Sequence, residues 1–255
     1  MLIDVSELKG SKIATTDGRL GTVTEFHFDD ESWTLHWIVV GIGTWLFGRK
    51  VLLPFSVLHP DISAPSFPGR LTTAKVKDSP LIDTYKPVSR QHEERVYGYY
   101  NLSPYWGSGF YMGGYGDWSA GMSEAHYAGA RQRQDKLDRL RHQKDDQHLR
   151  SMDAVTGYNL NATDGAICHV EGFWVDDEDW TIQFLNIETQ NWWPGKHVLI
   201  SPRSAQQILW SENLVNLDID RQTVKDSPAY DPSAPIDAAV EARMAGHYIA
   251  KTKAE

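Results

Sequence analysis

The chain has 255 residues, 41% of them hydrophobic and 23% charged, with a formal net charge of −9. That size allows one to two globular domains, and the acidic balance argues against DNA or RNA as the main partner, because a nucleic-acid binder must neutralise phosphates with clustered Lys and Arg. A single cysteine, Cys168, excludes an internal disulfide and any zinc site built on several cysteines, and it suits a reducing, cytoplasmic setting.

The N-terminus, Met1-Leu2-Ile3-Asp4, places an acid where a secretory leader carries basic residues, and no apolar run follows it. The longest apolar stretch, from Trp37 to Gly48, contains two interior glycines and falls short of the roughly 20 residues that a membrane span requires. The expectation is a soluble protein, peripheral to a membrane at most.

Self-similarity organises the rest. Asp17-Gly18 recurs as Asp164-Gly165, and the same offset of 147 holds from Gly10 to Pro54. It aligns Val23 with Val170, Phe26 with Phe173, Asp29-Asp30-Glu31 with Asp176-Asp177-Glu178, and Trp33-Thr34 with Trp180-Thr181. Trp45 with Trp192, Gly48 with Gly195 and Val51-Leu52 with Val198-Leu199 extend it. After one inserted residue, Val76-Lys77-Asp78-Ser79-Pro80 returns as Val224-Lys225-Asp226-Ser227-Pro228, followed by Glu93/Glu241, Arg95/Arg243, Gly98/Gly246 and Tyr100/Tyr248. Register held over this length reads as an internal duplication.

In chain order, each Asp-Gly reads as a turn, because Gly tolerates positive φ and Asp bonds nearby backbone. Leu20–Phe28 and Ile167–Val175 read as strands, rich in Val, Thr and aromatic residues. The acidic segments Asp29–Ser32 and Asp176–Asp179 are hairpin loops, and Trp33 and Trp180 open the next strands, Leu35–Val40 and Ile182–Ile187. A third pair follows at Lys50–Leu53 and His197–Ile200, stopped by Pro54 and Pro202. A last strand is expected near Leu71–Val76 and Leu217–Val224, and then a helix beginning near Ser89 in the first copy and spanning Pro235–Tyr248 in the second. Several short strands at this spacing indicate a small antiparallel barrel.

The combined pattern of Asp-Gly, Asp-Asp-Glu-x-Trp-Thr, Trp-x-x-Gly-Arg/Lys and Val-Leu resembles the PRC-barrel domain family, and the tail Val-Lys-Asp-Ser-Pro with its later Tyr resembles the subgroup related to the cytoplasmic part of the photosynthetic reaction-centre H subunit. The resemblance covers residues 10–106 and 154–248. It implies a mainly β fold of two tandem barrels, each followed by a short helix: module 1 over 1–100, a linker over 101–151 and module 2 over 152–255. It also implies a docking or assembly platform with no catalytic residues and no cofactor, and it allows a link to photosynthetic or stress-related membrane complexes. A pseudo-dimer within the chain, or a homodimer, would help small modules bury enough apolar surface.

Candidate sites are few. The acidic loops carry clustered carboxylates, as calcium sites do, but they are too short to wrap an ion and read as solvated turns. Cys168-His169 are neighbours on a strand and point to opposite faces, so Cys168 reads as structural. His92-Glu93-Glu94-Arg95-Val96 lacks the second His of a zinc-protease helix, and Gly107-Ser108-Gly109 lacks the lysine of a phosphate loop. The linker is richer: Tyr105, Trp106, Phe110, Tyr111, Tyr115 and Trp118 alternate with glycines, either as a flap packed on the first module or as a contact surface for a protein partner. Ser123–Arg150 then reads as one long polar helix, on which His142 and His148 read as surface residues. The leading reading is a non-enzymatic binding or scaffold protein. The rival is a small-molecule or metal-dependent enzyme with its site between the barrels.

Overall fold

The computed structural model describes residues 1–43, 49–58, 66–80, 90–105, 149–188, 196–232, 234 and 236–252. The first half runs β1 (Leu2–Asp4), α1 (Val5–Leu8), β2 (Lys12–Thr15), β3 (Gly18–Asp29), β4 (Thr34–Ile42), β5 (Arg49–Pro54), β6 (Ser66–Pro68), α2 (Thr73–Lys77) and α3 (Arg90–Tyr100). The second runs β7 (Leu149–Ser151), α4 (Met152–Val155), β8 (Asn159–Ala162), β9 (Gly165–Asp176), β10 (Ile182–Glu188), β11 (His197–Ile200), β12 (Ala205–Leu209), β13 (Leu214–Leu217), α5 (Arg221–Asp226) and α6 (Ala238–Thr252). The fold is mainly β.

Strand order is β5-β4-β3-β2-β6 in one sheet and β11-β10-β9-β8-β13-β12 in the other. Neither path closes among the described residues, and no closed barrel of the kind expected from the strand spacing is found there. The outer members explain this: β6 is three residues long and joins β2 in parallel, while β5 ends at Pro54, where the chain turns into a 3-10 turn at Phe55–Val57. Proline has no amide to continue a ladder.

Pairings recur at the offsets seen in the sequence. β2 meets β6 at Lys12 and Ser66, and β8 meets β13 at Asn159 and Leu214. The bridge between Leu58 and Gly69 returns as the pair Ala205 and Leu217. α2 and α5 both stand where a last strand was expected. The alternating run Leu71–Val76 reads as a strand, but Thr72 Oγ1 accepts the Lys75 amide (3.3 Å) and Asp220 Oδ1 accepts the Thr223 amide (2.7 Å), and these caps start helices instead. Only Leu217 of the second stretch lies in a strand.

The Asp-Gly turns do more than turn. Gly18 and Gly165 adopt φ of +154° and +134°, which a side chain would resist. Asp17 Oδ1 accepts the Thr73 amide (2.7 Å), and Asp164 Oδ1 accepts the Arg221 amide (2.8 Å), so each turn also holds the start of the helix after its sheet. The Thr73 amide and hydroxyl, with the Thr15 hydroxyl, hold the Asp17 carboxyl below its ordinary range.

A single apolar core runs through both halves. It joins Phe26, Phe28, Trp37 and Leu52 of the first to Leu160, Val170, Phe173 and Val198 of the second. A smaller cluster of Leu2, Trp174, Phe184, Leu199, Tyr230, Ile236 and Met244 lies on the outer face of the second sheet, under α6.

Candidate functional site: the seam between the halves

Long strands create the seam. β3 and β9 each span twelve residues, whereas β2 and β8 pair only with their first parts. The remaining edge of each is taken by the opening strand of the other half. β1 pairs with β9 through Leu2/Asp176, Ile3/Val175 and Asp4/Trp174, and β7 pairs with β3 through Leu149/Asp29, Arg150/Phe28 and Ser151/His27. The two sets are related by the same offset of 147 in both strands. An exposed strand edge invites foreign pairing, and this exchange covers both edges.

The turns meet as well. Leu35 donates its amide to the Trp180 carbonyl (2.9 Å), and Ile182 donates to the Trp33 carbonyl (2.7 Å). Thr34 bridges its own counterpart Thr181, which places a pseudo-two-fold axis between them. Trp33 and Trp180 both take positive φ (+54° and +61°), a costly conformation for a bulky side chain that the crossed hydrogen bonds and ring packing sustain. Phe55 packs on Trp180 with centroids 4.4 Å apart, and Phe28 packs on Phe173 at 5.7 Å.

The acidic turns are solvated at their tips, where Glu31, Ser32, Glu178 and Asp179 are exposed, and anchored at their first carboxylates. Asp29 is 1% exposed. Its Oδ1 accepts from the Ser32 amide (2.8 Å) and hydroxyl (3.0 Å), and its Oδ2 accepts from the Tyr105 hydroxyl (2.8 Å). Asp30 accepts from Arg150 Nε at 2.6 Å. In the other half the N-terminal ammonium of Met1 donates to Asp177. Among the described residues no group of three or more His, Cys, Asp or Glu is arranged to hold a metal ion.

Of the six aromatic residues singled out as partner contacts, Tyr105 is packed, stacked on His36 at 3.4 Å between centroids and bonded to Asp29. Trp106, Phe110, Tyr111, Tyr115 and Trp118 lie outside the described residues, as does the expected helix over 123–148 with His142 and His148. Its expected end is corrected: Arg150 belongs to β7, because the edge of β3 offers it a ladder.

Sequence reasoning missed one cluster. Glu25, His27 and Ser151 meet where β7 lies on β3. Ser151 donates its hydroxyl to Glu25 Oε1, and His27 Nε2 lies 3.3 Å from the same oxygen. Burial pushes the Glu25 carboxyl up, but His27 and Ser151 outweigh it and hold it below its ordinary range. His27 is fully buried, and Ser151 points at the carboxylate rather than at the imidazole, so this is not the nucleophile–base pair of a hydrolase. The spacing Glu-x-His on one strand face is visible in the sequence, but Ser151 enters only through the exchanged strand.

Glu93, singled out in the helix motif, is buried and accepts the Trp37 indole N–H at 2.7 Å. Burial, with Glu171 nearby, pushes the Cys168 thiol up to about 12, which keeps it protonated and unreactive at neutral pH. The Lys-Asp-Ser-Pro segment is also explained. The Tyr248 hydroxyl donates to the Leu199 carbonyl (2.5 Å) and lies 3.2 Å from the Ser227 hydroxyl, tying α6 to the sheet and to the end of α5. Arg49 and Lys196 donate to the Ser79 and Ser227 carbonyls at the ends of α2 and α5.

Among the described residues no helix is long and apolar enough to cross a membrane. No curated protein matches the chain. Residues 1–64 match the PRC-barrel domain family, and the PRC-barrel domain found there contains β1 to β5, the strands that form the first half's side of the seam.

Proposed function

We propose that this is a non-catalytic binding or assembly protein, made of two PRC-type modules that arose by internal duplication and pack as a pseudo-dimer within one chain. One observation carries the reading. The ionisable and nucleophilic groups at the seam are engaged in structure: Glu25 with Ser151 and Asp30 with Arg150 join the halves, His27 lies against Glu25, Asp29 anchors its own turn and Tyr105, and the seam itself is main-chain ladder and aromatic packing. A substrate has no route to a fully buried His27. PRC-barrel domains often serve as protein-interaction modules, and the domain at residues 1–64 supports the same role here. The resemblance of the Val-Lys-Asp-Ser-Pro…Tyr tail to the reaction-centre H-type subgroup extends the proposal to the cytoplasmic side of a membrane-associated complex.

The test is affinity capture with the full chain as bait, followed by reconstitution of each stoichiometric partner from purified components. In parallel, thermal shifts are measured against a panel of metabolites and divalent metals. A reconstituted protein complex with a silent panel supports the proposal. Metabolite- or metal-dependent shifts with no protein complex overturn it.

A further inference from the structure

One face of the first sheet gathers cations. The register sets Ser66, Lys12, Thr22, Gly41 and Lys50 in one row across β6, β2, β3, β4 and β5, and Arg19 joins the same face opposite Ala14. It is the outer face, since Ile13, Val23, Val40 and Val51, one position along each strand, are buried in the core. Lys12, Arg19, Thr22 and Lys50 are exposed. Lys12 and Lys50 stand three strand spacings apart, about 14 Å, with a threonine and a glycine between them.

Among the described residues Lys12, Arg19 and Lys50 form no ion pair. Two carboxylates nearby are engaged elsewhere. Asp17 accepts from Thr15 and Thr73, and Glu25, close enough to feel the Lys50 charge, accepts from Ser151 and faces His27. The second half builds the same rows from other side chains: Asn159 pairs with His169, Asn161 with Ala166 and Glu188 with His197. Asn159, Ala166 and His197 thus hold the places of Lys12, Arg19 and Lys50. The ladder needs none of the three cations, which leaves them for a ligand.

We propose that this face docks an acidic segment of a protein partner, its carboxylates meeting Lys12, Arg19 and Lys50 and its backbone lying against Thr22 and Gly41. The inference rests on the assembly reading and gives the partner its chemistry. A protein is favoured over a membrane surface: Met1 is the one exposed large apolar side chain among the described residues, and three cations fall short of the roughly four to eight that recognise anionic lipid. Glu188, at the ladder position of Gly41, sets a carboxylate where the second half would otherwise offer the same floor, so one segment docks per chain.

The experiment is an NMR titration of the full chain that follows the backbone amides of Lys12, Thr22, Gly41 and Lys50. The probe is a capped octapeptide of alternating Glu and Ser, with the Gln-Ser octapeptide as control. The triple variant Lys12→Asn, Arg19→Ala and Lys50→His carries the second half's own residues, so it is expected to fold, and its melting temperature checks this. Mildly alkaline pH keeps the introduced His neutral. The expected result is a saturable shift at these amides, absent from the control, screened by added salt and weakened roughly tenfold in the triple variant, as the loss of three exposed charge contacts implies. Lys50→Gln alone is expected to weaken binding about threefold. Unmoved amides, an equal shift with the Gln-Ser peptide, or undiminished binding by the variants overturns the proposal. So does cosedimentation with phosphatidylglycerol vesicles while the peptide leaves the amides unmoved, which assigns the face to a membrane. A partner reconstituted equally well with parent and triple variant overturns the surface and leaves the assembly reading standing. Peptide shifts with no reconstituted partner uphold the surface and count against the assembly reading alone.

Discussion

Gly21 shows how little tolerance single positions in these sheets have. A Cβ there would lie 2.0 Å from the Gly41 carbonyl oxygen, a backbone atom that cannot step aside. Gly21→Ala is expected to destabilise the chain by about 3 kcal/mol or more, as overpacking against backbone does, read as a lower urea midpoint at unchanged slope. The buried phenols make a second prediction. Burial raises Tyr100, Tyr230 and Tyr248 from 10 to about 12. The folded state holds these protons more tightly than the unfolded chain, so their contribution is whole below pH 10 and is lost as pH rises to about 12. Melting temperature is expected to fall steeply across that window. Tyr248→Phe should flatten the fall while costing about 1–3 kcal/mol at neutral pH, because the Ser227 and Leu199 contacts go with the hydroxyl. A flat alkaline profile in the parent chain would contradict this account of the three phenols.

At the level of elements, the exchanged strands β1 and β7 have the largest consequence for their length. Leu149 is fully buried and Leu2 is 5% exposed, each at the equivalent place on the other half's long strand. Leu149→Ala is expected to cost about 2–5 kcal/mol, and Leu2→Ala a comparable amount. Hydrogen exchange should then quicken at Phe28 in the first variant and at Val175 and Asp177 in the second, whose amides face the exchanged strand. Protection unchanged at the partner strand would show that the exchange is not what covers those edges. These strands were hidden in the sequence for a physical reason: only Leu2 and Leu149 match, while Ile3/Arg150 and Asp4/Ser151 diverge, since a main-chain ladder does not need particular side chains. The central strands were legible because alternating Val, Thr and aromatic residues must face a core. α2 and α5 were misread because Leu71–Val76 alternates like a strand, and the competing signals, Thr72 and Asp220 as caps, are single residues. The Glu25–His27–Ser151 cluster was out of reach, since its third member arrives by that exchange from the other half.

For the whole molecule, the core and the seam make one claim: the two halves are a single folding unit. Crossed hydrogen bonds between the Trp33 and Trp180 turns, the self-paired Thr34 and Thr181, and a core running from Phe28 into Phe173 all join one half to the other. Neither half covers its own long strand. The measurement that tests this most directly is scanning calorimetry of the full chain, alone and with Phe173→Ala, a substitution expected to cost about 3–5 kcal/mol. A single transition is predicted, with calorimetric and van't Hoff enthalpies equal, moving as a whole to lower temperature in the variant. Two separable transitions, with Phe173→Ala shifting only one of them, would contradict it.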